Sequence, residues 1–207
     1  PISTIKKYEN CSLKRLQESG LPTQIKLSIL YKYLPEEFIK IKNIFANIFA
    51  KVVDVKIEGL DKNKLPIPLL DIFRDATTIS IKEKEVDNWI EDISSGMFKT
   101  LMYIGELHLS PEGSVILIDE FENSLGVNCI DSVTELILER QDLQFMITSH
   151  HPYIINNISP KYWKIVTRQG SLVTVKEAKE FHISESRQKA FIDLINVLQN
   201  EDEDLED

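Results

Sequence analysis

The clearest periodicity in the chain lies over 35–49. Pro35, Glu36 and Glu37 suit a first helical turn, and Phe38, Ile41, Phe45, Ile48 and Phe49 then recur at three- and four-residue spacing. An amphipathic helix is predicted there. Upstream, 2–19 mixes lysines and glutamates with apolar Ile5, Tyr8, Leu13 and Leu16, and reads as a helical connector ended by Gly20-Leu21-Pro22. β-Branched residues between turn formers at 52–57, 65–70 and 77–81 predict short strands of an antiparallel lobe.

Beyond Trp89 the rhythm changes. The pattern predicts a helix over 97–109, an apolar strand over 114–118, a helix over 128–140 and a second apolar strand over 144–148. Strand, helix, strand with continuous apolar strands signals a parallel sheet covered on both faces. Pro152 reads as a break, and 163–167 with 172–175 flank Arg168-Gln169-Gly170-Ser171 as a terminal β-hairpin. A last helix over 185–198 leads into an acidic tail read as disordered. The expected organisation is α/β: a helical and short-strand lobe at 1–88, a parallel-sheet body with flanking helices at 89–199, and the tail at 200–207.

Composition narrows this only a little. With 43% apolar residues in 207, the chain has enough for a real core. Its longest apolar stretches are strand-sized, short of the roughly 20 residues a membrane span needs. There is no leader pattern, and Cys11 and Cys129 make no disulfide framework, so a reducing cytoplasm is the expected setting. Of the formal charge of -9, the run Glu201 to Asp207 brings six carboxylates. Broad affinity for nucleic acid is not indicated, although Lys6, Lys7, Lys14 and Arg15 form a local basic group. The first residue is proline rather than methionine, from which a longer parent protein is expected.

Three segments carry candidate chemistry. In Ser114-Val-Ile-Leu-Ile-Asp119-Glu120-Phe-Glu122, two carboxylates follow an apolar strand at its C-terminal end, where open α/β sheets place their ligand sites. In nucleoside triphosphatases the first such carboxylate holds Mg²⁺ and the second polarises the attacking water. Ile93-Ser94-Ser95-Gly96-Met97 opens a helix with small residues, which lets backbone N–H groups approach an anion. Phe145-Met-Ile-Thr148-Ser149-His150-His151-Pro152 puts a histidine after the second strand, within reach of a γ-phosphate or its attacking water. Taken singly, each has a plain structural reading: strand-end carboxylates, an N-cap, a structural histidine. His108, His182 and Cys129 have no partners at metal-ligand spacing and read as structural or surface residues.

Together and in this order, the three resemble the signature motif, Walker B segment and switch-histidine loop of ABC-type ATPases. Ser94 precedes Asp119 by 25 residues and Asp119 precedes His150 by 31, similar to the spacing of that superfamily. More closely, they resemble the AAA-family, ABC-like ATPases of bacterial defence systems, the OLD, Septu and retron-associated groups. The usual patterns there are Leu-Ser-Ser-Gly, Asp-Glu-Pro-Glu and Thr-Thr-His-Ser-Pro. Here Ile93, Phe121, Gly126-Val127 and His151 depart from them. The resemblance covers about 89–157.

It implies the C-terminal part of an ABC-type P-loop ATPase head that uses ATP and Mg²⁺. By resemblance, Asp119 is the Mg²⁺ ligand, Glu120 the general base and His150 the γ-phosphate sensor. Ser94, Ser95 and Gly96 would contact ATP held by a second head, with Asn123, Ser124, Leu125 and Gly126 as the D-loop between the two sites. The implied partners are that second head, in a homodimer or higher oligomer, and a separate effector protein such as a nuclease, with DNA as a further candidate. None of the seven glycines is followed by lysine, so the phosphate loop Gly-x-x-x-x-Gly-Lys-Ser/Thr is absent from the sequence. Three explanations stand: an N-terminal part not included here, a naturally split head, or a degenerate head. The last is disfavoured by the presence of Glu120 and His150. The chain alone is expected to bind ATP poorly and to be inactive.

The functional expectation is an ATPase that dimerises on ATP and regulates an effector in antiphage defence. Two alternatives remain: a DNA-organising or repair ATPase of the SMC-like kind, and an assembly module locked by nucleotide with little turnover.

Overall fold

The computed structural model describes residues 4–59 and 76–203, so the strand expected at 65–70 and the final residues 204–207 lie outside the described residues. Two compact units are present: 1–118 with 123–146, and 119–122 with 147–207.

In the first unit the N-terminal stretch is broken where one connector helix was expected. A 3₁₀ turn at Ile5–Tyr8 is followed by α1 (Leu13–Gln17), whose N-cap Ser12 accepts the Arg15 amide at 3.3 Å. Then come α2 (Thr23–Tyr33), not anticipated from the pattern, and α3 (Pro35–Ile48), which buries Phe38, Ile41 and Phe45 as its spacing predicts. The antiparallel pair β1 (Val52–Gly59) and β2 (Thr77–Glu83) carries a register shift between Val52 and Asp54. Ile81 and Ile90 exchange backbone hydrogen bonds of 3.0 and 2.9 Å and so tie the following segment to this pair.

The helix α4 (Ser95–Leu109) packs into the same core with Leu101, Ile104 and Leu109 buried. Gly105 permits the approach of α2: a Cβ there would lie 3.0 and 3.1 Å from the Leu27 methyls and 3.1 Å from Thr23 Cγ2. Two polar contacts sit in the packing. The buried Lys26 donates to the Gln17 carbonyl at 3.0 Å, and burial lowers its pKa against the opposing charge of Glu106. His108 Nε2 lies 2.9 Å from Glu37 Oε2, a structural use of that histidine.

Next comes the strand–helix–strand unit: β3 (Val115–Ile118), α5 (Val127–Glu139) and β4 (Gln144–Ile147). Gln144 N donates to Ser114 O before the strands, and Phe121 N donates to Thr148 O beyond them, so the two strands run in the same direction. One expectation needs correction. The apolar run is not covered on both faces: Val115, Leu117 and Met146 are 57%, 71% and 67% exposed, while Ile118 is buried. Successive strand residues point to opposite faces, and among the described residues this sheet has two strands.

In the second unit, α6 (Pro152–Asn157) begins at the proline that reads as a break. Proline is favoured in the first helical turn, where its missing N–H is not needed, and His151 caps the helix by accepting the Tyr153 amide at Nδ1, 3.3 Å away. β5 (Lys164–Gln169) and β6 (Leu172–Glu177) form the expected hairpin, with Val166 opposite Val175. The helix α7 (Arg187–Glu203) runs beyond its expected end at Leu198. A small core joins Ile165, Ala178, Ile183 and Ala190, with Trp163, Phe181 and Leu194 packed against it.

At the end of β6, Lys164 and Lys179 approach Glu177 at 2.7 and 2.6 Å and hold its carboxyl at about 2, below the ordinary 4.5. A carboxyl whose pKa is depressed by folding adds stability above its unfolded value, and that stability is lost as pH falls toward the folded value. The window here runs from 4.5 down to about 2, and the group's partial exposure to solvent keeps the effect small. A carboxyl NMR titration should put the Glu177 midpoint near 2 at low salt and move it upward in 1 M salt, where screening acts over about 3 Å. An unshifted midpoint would show that the two lysines do not hold the group. Among the described residues, no helix is long and apolar enough to cross a membrane.

Candidate active site

The carboxylates Asp119 and Glu120 follow β3 directly, and Thr148 follows β4. Because the strands are paired in parallel, their C-terminal ends lie side by side, and residues 29 apart in sequence meet. The Thr148 hydroxyl donates to Asp119 Oδ1 at 2.6 Å and accepts the Glu120 amide at 2.8 Å. One hydroxyl thus fixes the side chain of the first acid and the backbone of the second. Glu120 has φ 46°, in the left-handed region that residues with a Cβ rarely occupy. Holding a non-glycine residue there costs on the order of 1–3 kcal/mol, and such strain gathers at working sites.

His150 lies on the same loop as Thr148, exposed, and its amide donates to Glu122 Oε1 at 2.7 Å. Asp119, Glu120 and His150 are therefore gathered on two adjoining loops of one unit. Burial pulls the Glu122 carboxyl pKa upward. It is nonetheless held below its usual value by the Ser149 hydroxyl, the amides of His150 and of Glu122 itself, and the charge of His150. By the geometry of the contacts, Oε2 is buried and meets no group at hydrogen-bond distance and angle.

Ser94, Ser95 and Gly96 belong to the first unit, at the start of α4. The Ser94 hydroxyl accepts the Met97 amide at 3.2 Å, so in this structure it serves as the N-cap. Asn123, Ser124, Leu125 and Gly126 lie against this helix start. A Cβ on Gly96 would be 3.2 Å from Ser124 O and 3.4 Å from Gly126 N, and the Lys99 ammonium donates to the Asn123 carbonyl. Ser124 has φ 63° and Leu125 is buried, so a tight turn anchored by one apolar side chain leads into α5. A side chain at 96 would fit only if that turn gave way by a few tenths of an ångström.

Among the described residues, no three His, Cys, Asp or Glu side chains converge as a metal cluster. A Mg²⁺ ion carried by a nucleotide would not need such a cluster. Such an ion takes one or two protein carboxylates and fills its remaining positions with phosphate and water oxygens. Asp119, exposed and with its rotamer fixed by Thr148, supplies a carboxylate of that kind.

Two residues of this arrangement escape a residue-by-residue reading. Thr148 stands out only once the strands are paired, and Glu122 has no signal of its own beyond following Asp119 and Glu120.

The chain is similar to an SMC head solved as "Crystal structure of the SmcHead bound to the C-winged helix domain of ScpA". The TM-score is 0.50 at 17% identity, covering 83% of this chain and 52% of that one. It is also similar to a chain from "Structural biochemistry of ATP-driven dimerization and DNA stimulated activation of SMC ATPases". There the TM-score is 0.49 at 20% identity, covering 79% of this chain and 94% of that one. Among curated proteins, it is 25% identical over 145 residues to "RNA-directed RNA polymerase L" of Uukuniemi virus (strain S23). The match spans 69% of this chain and 7% of the polymerase. Residues 50–156, just over half of the chain, match the family described as "AAA domain, putative AbiEii toxin, Type IV TA system". The fold resembles that of an SMC head, and the chain belongs to this AAA domain family.

Proposed function

We propose that the chain is the C-terminal half of an ABC-type head that hydrolyses ATP once a phosphate-binding loop from another segment completes it. The observation that carries this reading is the Thr148 hydroxyl bridging Asp119 Oδ1 and the Glu120 amide at the ends of two parallel strands. An acid pair with no task would not need a shared clamp or a left-handed backbone. The exposed face of Val115, Leu117 and Met146 adds support, because a parallel sheet is ordinarily covered on both sides and the completing segment would cover this one.

In this reading Asp119 holds the Mg²⁺ that accompanies ATP, and that ion supplies charge neutralisation on the phosphates. Glu120 accepts the proton of the attacking water at its carboxylate. His150 donates to the γ-phosphate oxygens as charge develops on them. Ser94, Ser95 and Gly96 present the helix start of α4 to ATP on a second head, which makes association ATP-dependent. The pair then switches a separate effector, in the setting of antiphage defence and in the cytoplasm. A packed lobe upstream, with Phe38, Ile41 and Phe45 buried, suits this reading better than the long arms of a DNA-organising ATPase.

The test is Mg²⁺-dependent ATP hydrolysis by the complete gene product, with sedimentation in the presence and absence of ATP. Turnover together with ATP-induced association is the expected result. A complete protein that neither binds nor hydrolyses ATP would overturn the reading.

A further inference from the structure

The loop after β3 carries a third carboxylate to which the mechanism above gives no role. Glu122 Oε1 accepts the His150 amide at 2.7 Å across 28 residues of sequence, while Oε2 is buried with no hydrogen-bond partner. Burying part of a carboxylate costs free energy unless a strong contact offsets it. A charge-assisted bond to a backbone amide is such a contact, roughly twice as strong as a neutral one. The later amides of the same loop are satisfied locally: His151 by the Ser149 hydroxyl at 3.1 Å, and Tyr153 by the His151 ring at 3.3 Å. Of these three amides, only that of His150 reaches the acidic loop. Two residues earlier, Thr148 is bonded to Asp119 and Glu120.

From this geometry we propose that Glu122 is a positioning residue that sets the backbone at His150, and through it the imidazole, relative to Glu120. The two loops are braced twice, once at Thr148 and once at His150. Displacing the histidine loop therefore strains the backbone that carries Glu120. The functional consequence rests on the reading of His150 as the γ-phosphate sensor; the positional hold does not.

Two measurements test it. In the 207-residue chain, hydrogen exchange at the His150 amide should quicken about tenfold or more in Glu122→Ala, the loss expected for a bond to a charged acceptor. Glu122→Gln keeps an acceptor oxygen and should keep most of the protection. Glu122→Leu fills the same space without an acceptor and should behave as alanine does, which guards against an alanine variant that folds poorly. Wild-type exchange in both Ala and Leu variants would overturn the proposal.

In the complete protein, Glu122→Ala should lower kcat about 10- to 100-fold, with KM for ATP nearly unchanged. Combined with His150→Ala it should lose no more than His150→Ala alone, because Glu122 acts through that residue. Additive losses would overturn the coupling. If the wild-type complete protein shows no turnover, the ATPase reading fails, while the exchange experiment still decides whether Glu122 holds His150.

Discussion

Glu120→Gln in the complete protein is expected to bind Mg-ATP and to associate on binding it, while turnover falls about 10²- to 10⁴-fold, the contribution of a general base. The substitution keeps the shape of the side chain and its backbone amide, so the bond to Thr148 Oγ1 at 2.8 Å should survive. What disappears is the oxygen able to take a proton from water. Asp119 is untouched and still bonded to Thr148, so Mg²⁺ and nucleotide affinity should change little. Single-turnover hydrolysis with parallel ATP-binding titrations separates the two effects. A variant that hydrolyses ATP within about threefold of wild type would leave the chain as a nucleotide-locked assembly module, since a general base contributes far more than that.

Phe45→Ala should have the largest effect on folding. Phe45 is fully buried in the core of the first unit, and its ring lies 4.7 Å from that of Phe49. Removing a buried phenylalanine costs about 3–5 kcal/mol through lost transfer free energy and the cavity left behind. That is a large share of the roughly 5–15 kcal/mol that holds a typical domain together. Urea denaturation should show the midpoint falling with little change in slope. An effect below about 1 kcal/mol would mean that the neighbours collapse into the space.

Some of this was legible because one physical rule dominated. In α3 a single face meets the core, so Phe38, Ile41 and Phe45 betray a helix by spacing alone. In α2 the same rule gave nothing. Lys26, Leu27, Ser28, Ile29 and Leu30 are all buried in succession, and a segment buried on several sides has no period to read. Pro152 is ambiguous between stopping a helix and starting one, and the preceding His151 cap decides it only in three dimensions. The four apolar residues of β3 suggested cover on two faces, whereas apolarity reports only what a face is suited to meet.

The candidate site divides in the same way. Asp119 and Glu120 were visible because carboxylates after an apolar strand have a known place in α/β sheets. The Thr148 bridge was not, for a threonine beside a strand end becomes a partner of Asp119 only through the parallel pairing of β3 with β4. Glu122 was hidden for a related reason, since its partner is a main-chain N–H, which no residue type announces.

The left-handed backbone at Glu120 also bears on how this sequence can drift. At such a φ, glycine is conformationally cheaper than glutamate, and asparagine is better tolerated. Without a use for the carboxylate, substitutions to these residues would relax the loop and be accepted readily. Glutamate stands at this position against the local backbone preference of the chain, as the proposed use of its carboxylate would require.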